Sequence, residues 1–250
     1  YSDLNCLNKE KTQNNCKLCI KCNLCNHFAE KYGTIECLIN PILNNFKPKT
    51  ILEKDKKPIA VIGAGLSGIV CSLTLAERGY NIDLFEQGDT VNKSNKLNEI
   101  FNTDIYLKQF NAFLDKQLNK FENNKQINIE FNTNCKFYAN NYNQYKTIVI
   151  ATGFKEMLPN IVGANQKHVV SIYDALRSKK TFTNVENVAI LVKSELGLKL
   201  GIYLATINKN ISLIIGNFNF MFNIPNINLT HYLYLIENLN IKTYLMSHVK

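Results

Sequence analysis

The sequence predicts an α/β protein in which a cysteine-rich segment precedes two Rossmann-like nucleotide-binding domains, and three observations predict it. Residues 59–65, IAVIGAG, form a β-branched run ending in glycine, followed by the helically spaced LSGIVCSLTLAERG and a second strand-like run, YNIDLFEQ. A comparable succession starts at NVAILV (Asn187–Val192), keeps helical spacing to about Ile207 and returns in NISLIIG (Asn210–Gly216). Ahead of both, residues 1–45 hold six cysteines and little hydrophobic periodicity, so loops and short helices organised by a ligand are expected there.

In chain order, residues 1–45 are the cysteine segment and 46–57 a linker, because NNFKPKTILEKDKKP is polar, Lys-rich and carries two prolines. Residues 58–160 form the first nucleotide-binding domain. Its opening βαβ unit is capped at Gly79, and its later part holds a helix from about Ile105 and strands at INIEF (Ile127–Phe131) and KTIVIATG (Lys146–Gly153). Leu107, Phe110, Phe113, Leu114, Leu118 and Phe121 recur at helical spacing, which marks a core-facing stripe. Residues 161–250 form the second domain, whose last strand is expected at IKTYLM (Ile241–Met246), leaving the module unfinished at Lys250.

At 250 residues and 46% apolar content the chain can bury two modest cores. No apolar run approaches the roughly 18 residues of a membrane span, and no basic-then-apolar leader is visible, so a cytoplasmic location without membrane association is expected. Tyr1 in place of methionine suggests a piece of something longer. The formal charge of +9 comes almost wholly from scattered lysines, with arginine only at Arg78 and Arg177, and this predicts a solvated surface rather than a nucleic-acid partner.

Cys19, Cys22 and Cys25 stand in C-x2-C-x2-C spacing, with Cys37 after eleven further residues and Cys16 one step upstream. Cysteines two residues apart can turn their thiolates toward a common centre, as around cuboidal iron–sulfur clusters. Spacing alone leaves Cys16 and Cys37 open as the fourth ligand. Zinc competes, since four thiolates also suit a tetrahedral site, but three consecutive steps and one distant cysteine favour a cluster over paired zinc knuckles. Disulfides need an oxidising compartment that nothing here indicates. Cys6, Cys71 and Cys135 read as ordinary thiols, and His27 as a surface or packing residue.

GAGLSG places Gly63, Gly65 and Gly68 in G-x-G-x-x-G register between a strand and a helix. Gly63 allows the turn, Gly65 leaves room for a pyrophosphate, and Gly68 lets helix and strand pack closely; the phosphates then meet the positive helix end. Glu86, eighteen residues beyond Gly68, stands where a carboxylate accepts hydrogen bonds from the adenosine ribose. A purely structural glycine turn is the competing reading.

With both motifs in order, the chain resembles the C-terminal half of the old yellow enzyme-related iron–sulfur flavoenzymes, the family of 2,4-dienoyl-CoA reductase, enoate reductase and trimethylamine dehydrogenase. CIKCNLC, eleven residues, then CLINP is similar to that family's cluster segment and selects Cys19, Cys22, Cys25 and Cys37; KPIAVIGAGLSG, LFEQ and TIVIATG match its FAD-domain signatures, with Gly153 in the turn after the strand. The resemblance implies a [4Fe–4S] cluster, FAD, and FMN only on an upstream barrel that would be part of the same chain or a separate subunit. It implies an electron-supply role, with electrons exchanged between FAD and the cluster toward that barrel, and no general acid, base or nucleophile among these residues.

Two departures qualify it. Asn92-Lys93-Ser94 replaces a Gly-Gly-Gln-like turn, so side chains stand where the family's backbone passes close to FAD; Lys93 would either pair with a phosphate or obstruct the flavin half. After NVAILV, Val192-Lys193-Ser194-Glu195-Leu196-Gly197 keeps only the third glycine of the NAD(P)H fingerprint, and Glu195 adds negative charge where a pyrophosphate would sit. Weak or absent NAD(P)H binding is therefore expected, with ADP alone as the alternative to FAD. The other readings are a non-catalytic ADP-binding module with a structural metal site and a truncated, non-functional product. Substrate and oligomeric state are not encoded in these motifs.

Overall fold

The computed structural model describes residues 19, 21–40, 57–101, 105–123, 125–135, 143–154, 158–178 and 182–247. Cys6, Cys16 and most of the 46–57 linker lie outside the described residues. The chain divides into two units, one of Lys47–Glu99 and Leu107–Lys155, the other of Tyr1–Phe46, Ile100–Tyr106 and Glu156–Lys250. The cysteine segment thus groups with the second α/β module.

In the first unit, β1 (Ile59–Ile62), β2 (Ile82–Phe85), β3 (Ile127–Glu130) and β4 (Thr147–Ile150) form a parallel sheet in the order β3-β2-β1-β4. Ile62 pairs with Phe85 on one side and Ile150 on the other, so β1 is central and its carboxyl end opens between two neighbours. Ile59, Ala60 and Val61 are buried, as a strand covered on both faces requires. Helix α2 (Leu66–Glu77) follows β1 and contacts β1 and β2 through buried Ile69, Leu73 and Ala76. Its end is closed by Gly79 at φ 90°, with the Tyr80 N–H donating to the Leu75 carbonyl. A short helix, α3 (Lys93–Leu97), precedes α4 (Ile105–Asn123), which buries Phe110, Leu114, Leu118 and Phe121.

In the second unit, α1 (Leu24–Tyr32) carries the cysteine segment, and α5 (Ile172–Arg177) leads toward a three-stranded parallel sheet. That sheet has the order β5-β6-β7, from β5 (Asn187–Val192), β6 (Asn210–Ile215) and β7 (Lys242–Leu245). Helix α6 (Glu195–Thr206) packs on β5 and β6, and Gly201 makes this possible, since a Cβ there would lie 2.7 Å from Leu213 Cδ2. Helix α7 (Asn226–Asn238) joins β6 to β7 after a 3-10 turn at Asn219–Asn223. Three hydrogen bonds tie α1 to this region: Asn23 Nδ2 to Asn228 Oδ1 (3.1 Å), Lys31 Nζ to the Phe222 carbonyl (3.0 Å) and Asn226 Nδ2 to Glu30 Oε2 (2.9 Å). A segment with few apolar residues is thereby seated through polar contacts.

Candidate functional site

The three glycines of GAGLSG have different reasons to be glycine. Gly63 has φ 99°, and a Cβ on it would lie 2.4 Å from the Ala151 carbonyl oxygen at the end of β4. At Gly68 a Cβ would come within 1.8 Å of the Gly63 oxygen. Both are demanded by the protein's own backbone. Gly65 differs: its backbone is extended (φ −72°, ψ 179°), and a Cβ there would meet nothing within 4 Å. Packing does not demand a glycine at 65, and the position stays open to whatever lies against the loop.

Gly65 is also the N-cap of α2, makes no side-chain cap hydrogen bond, and is followed by a first turn with no acidic residue. The first intrahelical bond runs from the Ile69 N–H to the Gly65 carbonyl, so the amides before Ile69 have no helical acceptor and face outward with the positive end of the helix dipole. Glu86, immediately after β2, is held at the same loop: its Oε2 accepts from the Ala64 N–H (2.8 Å) and its Oε1 from the Gly88 N–H (2.8 Å). Each carboxylate oxygen keeps a second lone pair for a hydroxyl donor. Gly153, at φ 76° after β4, borders open space. Glycine loop, helix end and carboxylate therefore form a cradle suited to the ADP half of a dinucleotide.

Asn92 and Lys93 both find partners within the protein. Asn92 adopts φ 56°, a left-handed conformation that asparagine tolerates, and is 2% exposed. Its amide N–H donates to the Ala64 carbonyl (2.7 Å), and its Nδ2 donates to Asn111 Oδ1 (2.8 Å), whose own Nδ2 donates to Glu99. The buried side chain is thus committed to a polar network behind the turn. Lys93 is exposed and paired with Asp89 at 3.1 Å, which holds the Asp89 carboxyl below its usual range.

In the cysteine segment, Lys21 (φ 56°) and Asn23 (φ 61°) coil the backbone through the left-handed region between successive cysteines. The Lys21 N–H donates to Cys19 Sγ at 3.3 Å, and the Leu24 N–H bonds to Cys22. Cys19, Cys22, Cys25 and Cys37 are free thiols, Cys19 exposed and the others half-buried. Burial pushes the Cys22 thiol up, and negative charge on Cys37, Cys25 and Cys19 would push it further, so the other three lie within electrostatic reach of Cys22. Among the described residues, no three His, Cys, Asp or Glu side chains are arranged to hold a single metal ion. His27, two residues past Cys25, is buried in α1.

The second unit lacks the cradle. The helix starts align Gly65 with Ser194, and hence Gly63 with Val192 and Gly68 with Gly197. The spacing that separates Gly63 from Glu86 leads from Val192 to Ile215, its register partner on β6. Where the first unit presents a carboxylate, the second has a side chain 2% exposed with nothing to accept a ribose hydroxyl. The loss of that acceptor was readable by counting from Val192. Gly197 keeps its packing role, since a Cβ on it would lie 3.2 Å from Val192 Cγ1. The end of α6 is occupied by its own anion: Glu195 Oε1 lies 2.9 Å from Lys199 Nζ and accepts from the Tyr232 hydroxyl at 2.8 Å. A first-turn carboxylate satisfies the helix dipole that a pyrophosphate would use.

Residues 57–250 match the model of the pyridine nucleotide-disulphide oxidoreductase family. An NADH oxidase of Thermoanaerobacter brockii is 23% identical over 203 residues, 79% of this chain and 31% of that protein. The chain thus spans about a third of the length of that curated relative. Among solved structures, 2-naphthoyl-CoA reductase in complex with 2-naphthoyl-CoA superposes with a TM-score of 0.81 at 22% identity, over 96% of this chain and 36% of that one. Histamine dehydrogenase from Rhizobium sp. 4-9 gives 0.76 at 15% identity, over 96% and 39%. These two are likenesses of fold. With a family match over well more than half its length, set on a parallel sheet of order β3-β2-β1-β4 and an intact glycine cradle, the chain belongs to the pyridine nucleotide-disulphide oxidoreductase family.

Proposed function

We propose that this chain is the electron-transfer portion of an iron–sulfur flavoprotein oxidoreductase, passing electrons between FAD and a [4Fe–4S] cluster toward an FMN-carrying barrel outside these residues. The observation that carries the reading is the open space at Gly65 beside the Glu86 carboxylate, room that a side chain would take from a bound group. The family match and the NADH oxidase relative support an oxidoreductase that handles a dinucleotide.

The residues fit the groups assigned to them. The free amides at the start of α2 would hold the pyrophosphate, Glu86 the ribose hydroxyls, and Gly153 would leave room beside them. Cys19, Cys22, Cys25 and Cys37 would ligate the cluster. Their spacing in the sequence, C-x2-C-x2-C and one distant cysteine, suits a cuboidal cluster better than paired zinc knuckles. The backbone amides on Cys19 and Cys22 would hold the sulfurs and tune their charge. When bound, flavin and cluster together supply the exchange between two-electron and one-electron steps; this chain's residues bind, orient and insulate them. The second unit does not suit NAD(P)H, since Val192, Glu195 and Ile215 replace the groups it needs. That loss also favours the second reading, a module that holds ADP and a structural metal.

Anaerobic purification followed by iron, acid-labile sulfide and zinc analysis, with the released nucleotide identified by mass spectrometry, decides between them. About four irons and four sulfides per chain with FAD are expected. Zinc without sulfide, together with ADP or no nucleotide, overturns the redox reading.

A further inference from the structure

The second unit contains a cavity that neither cofactor site uses. It has a volume of about 520 Å³ and lies between α1 and the segment joining β6 to α7, walled by Phe218, Met221, Phe222 and Leu229. That volume is within the usual range of small-molecule sites, and like them it is mainly apolar with a few polar groups.

The polar groups are not equivalent. Glu30 and Lys31 both border the cavity, and their opposite charges cancel. Each is also engaged: Glu30 Oε1 accepts from Asn26 and Oε2 from Asn226, while Lys31 Nζ donates to the Phe222 carbonyl. His27 is the exception. It is 8% exposed, borders the cavity, and its imidazole makes no hydrogen bond among the described residues; its one ring contact is the edge of Phe28 at 5.9 Å. Its ring nitrogens are not sealed from solvent, so a polar group on a ligand in the cavity can take the place of water beside them.

We propose that this cavity binds a small neutral aromatic molecule carrying one hydroxyl or carbonyl group, with the ring against Phe218, Met221, Phe222 and Leu229 and the polar group hydrogen-bonded to His27. The balanced charges at the rim disfavour an ion, and aromatic and thioether walls favour a flat ring. The site is independent of the redox reading, because none of the five residues it uses belongs to the glycine cradle or to the four cysteines.

Titration calorimetry on the full chain with 1-naphthol and with naphthalene, which differ by the hydroxyl alone, tests it. The native chain should bind 1-naphthol about tenfold more tightly than naphthalene, the size expected for one buried hydrogen bond. His27→Leu should remove that difference while keeping naphthalene binding, and Leu229→Trp should weaken both compounds by filling the cavity. Absence of 1-naphthol binding to the native chain, or a preference for 1-naphthol that survives His27→Leu, overturns the proposal. Iron and nucleotide content measured on the same samples reports separately on the redox reading.

Discussion

Gly65 and Gly68 sit three residues apart in one motif, yet the structure gives them opposite fates on substitution. Gly65→Val places a side chain into open space on an extended backbone, so the fold should be kept at a cost of about 1 kcal/mol at the N-cap, while nucleotide binding is abolished. Gly68→Ala drives a methyl group into the Gly63 carbonyl and should destabilise by about 1–3 kcal/mol or more. Thermal melts and nucleotide stoichiometry measured together separate the two; a Gly65→Val chain that retains stoichiometric FAD or ADP contradicts the cradle. A different side chain reports on the first unit by pH. Tyr145, stacked edge-on against Phe85 at 6.3 Å, is pushed up to about 12 by burial and then by the charge and hydrogen bond of Asp83. The folded state favours its neutral form, so its contribution to stability is present below the ordinary value near 10 and is lost as pH rises toward 12. Tyr145→Phe should therefore flatten the loss of stability between these values, read by denaturant midpoints across the alkaline range.

At the scale of elements, the two parallel sheets repeat one plan with different consequences. Helix α2 presents free amides and no acidic side chain, whereas α6 begins with Glu195 bound to Lys199 and Tyr232. NADPH should accordingly show no micromolar binding in calorimetry. Glu195→Gln should lower stability by roughly 0.3–1 kcal/mol through loss of the dipole and ion-pair terms without restoring binding, because Val192 and Ile215 remain. A micromolar dissociation constant in the native chain would refute this. The strands and the helix at 105 were legible because β-branched runs ending in glycine and i, i+3, i+4 stripes survive in one dimension. Helix α7 was not: Ile227 and Leu229 alternate with polar residues as in a strand, and only Tyr232 and Ile236, one turn apart, are buried. Its helical period appears only once the helix packs on α6, where the Tyr232 hydroxyl donates to Glu195.

For the whole molecule, the grouping of the cysteine segment with the second α/β module has a thermodynamic consequence. Helix α1 is held there by Asn23, Glu30 and Lys31 and by little apolar burial of its own, so the proposed cluster should supply much of its order. Cys22→Ala should lose iron and leave the amides of α1 rapidly exchanging, while β1 and β2 stay protected. Hydrogen exchange on native and variant chains checks it, and unchanged iron content or unchanged α1 protection counts against the cluster assignment.

From the sequence alone came the order of the strands along the chain, the glycine register, the carboxylate at Glu86 and the crowding of cysteines, because each is a spacing within one or two neighbouring elements. The tertiary structure decided what spacing cannot express. It distinguished the glycine that borders open space from the two the backbone needs, turned Asn92 toward Asn111, tied Glu195 to Lys199 and Tyr232, and set His27 beside a cavity. These depend on which surfaces meet across many residues of chain, and a linear pattern carries the periodicity of a surface but not the identity of what packs against it.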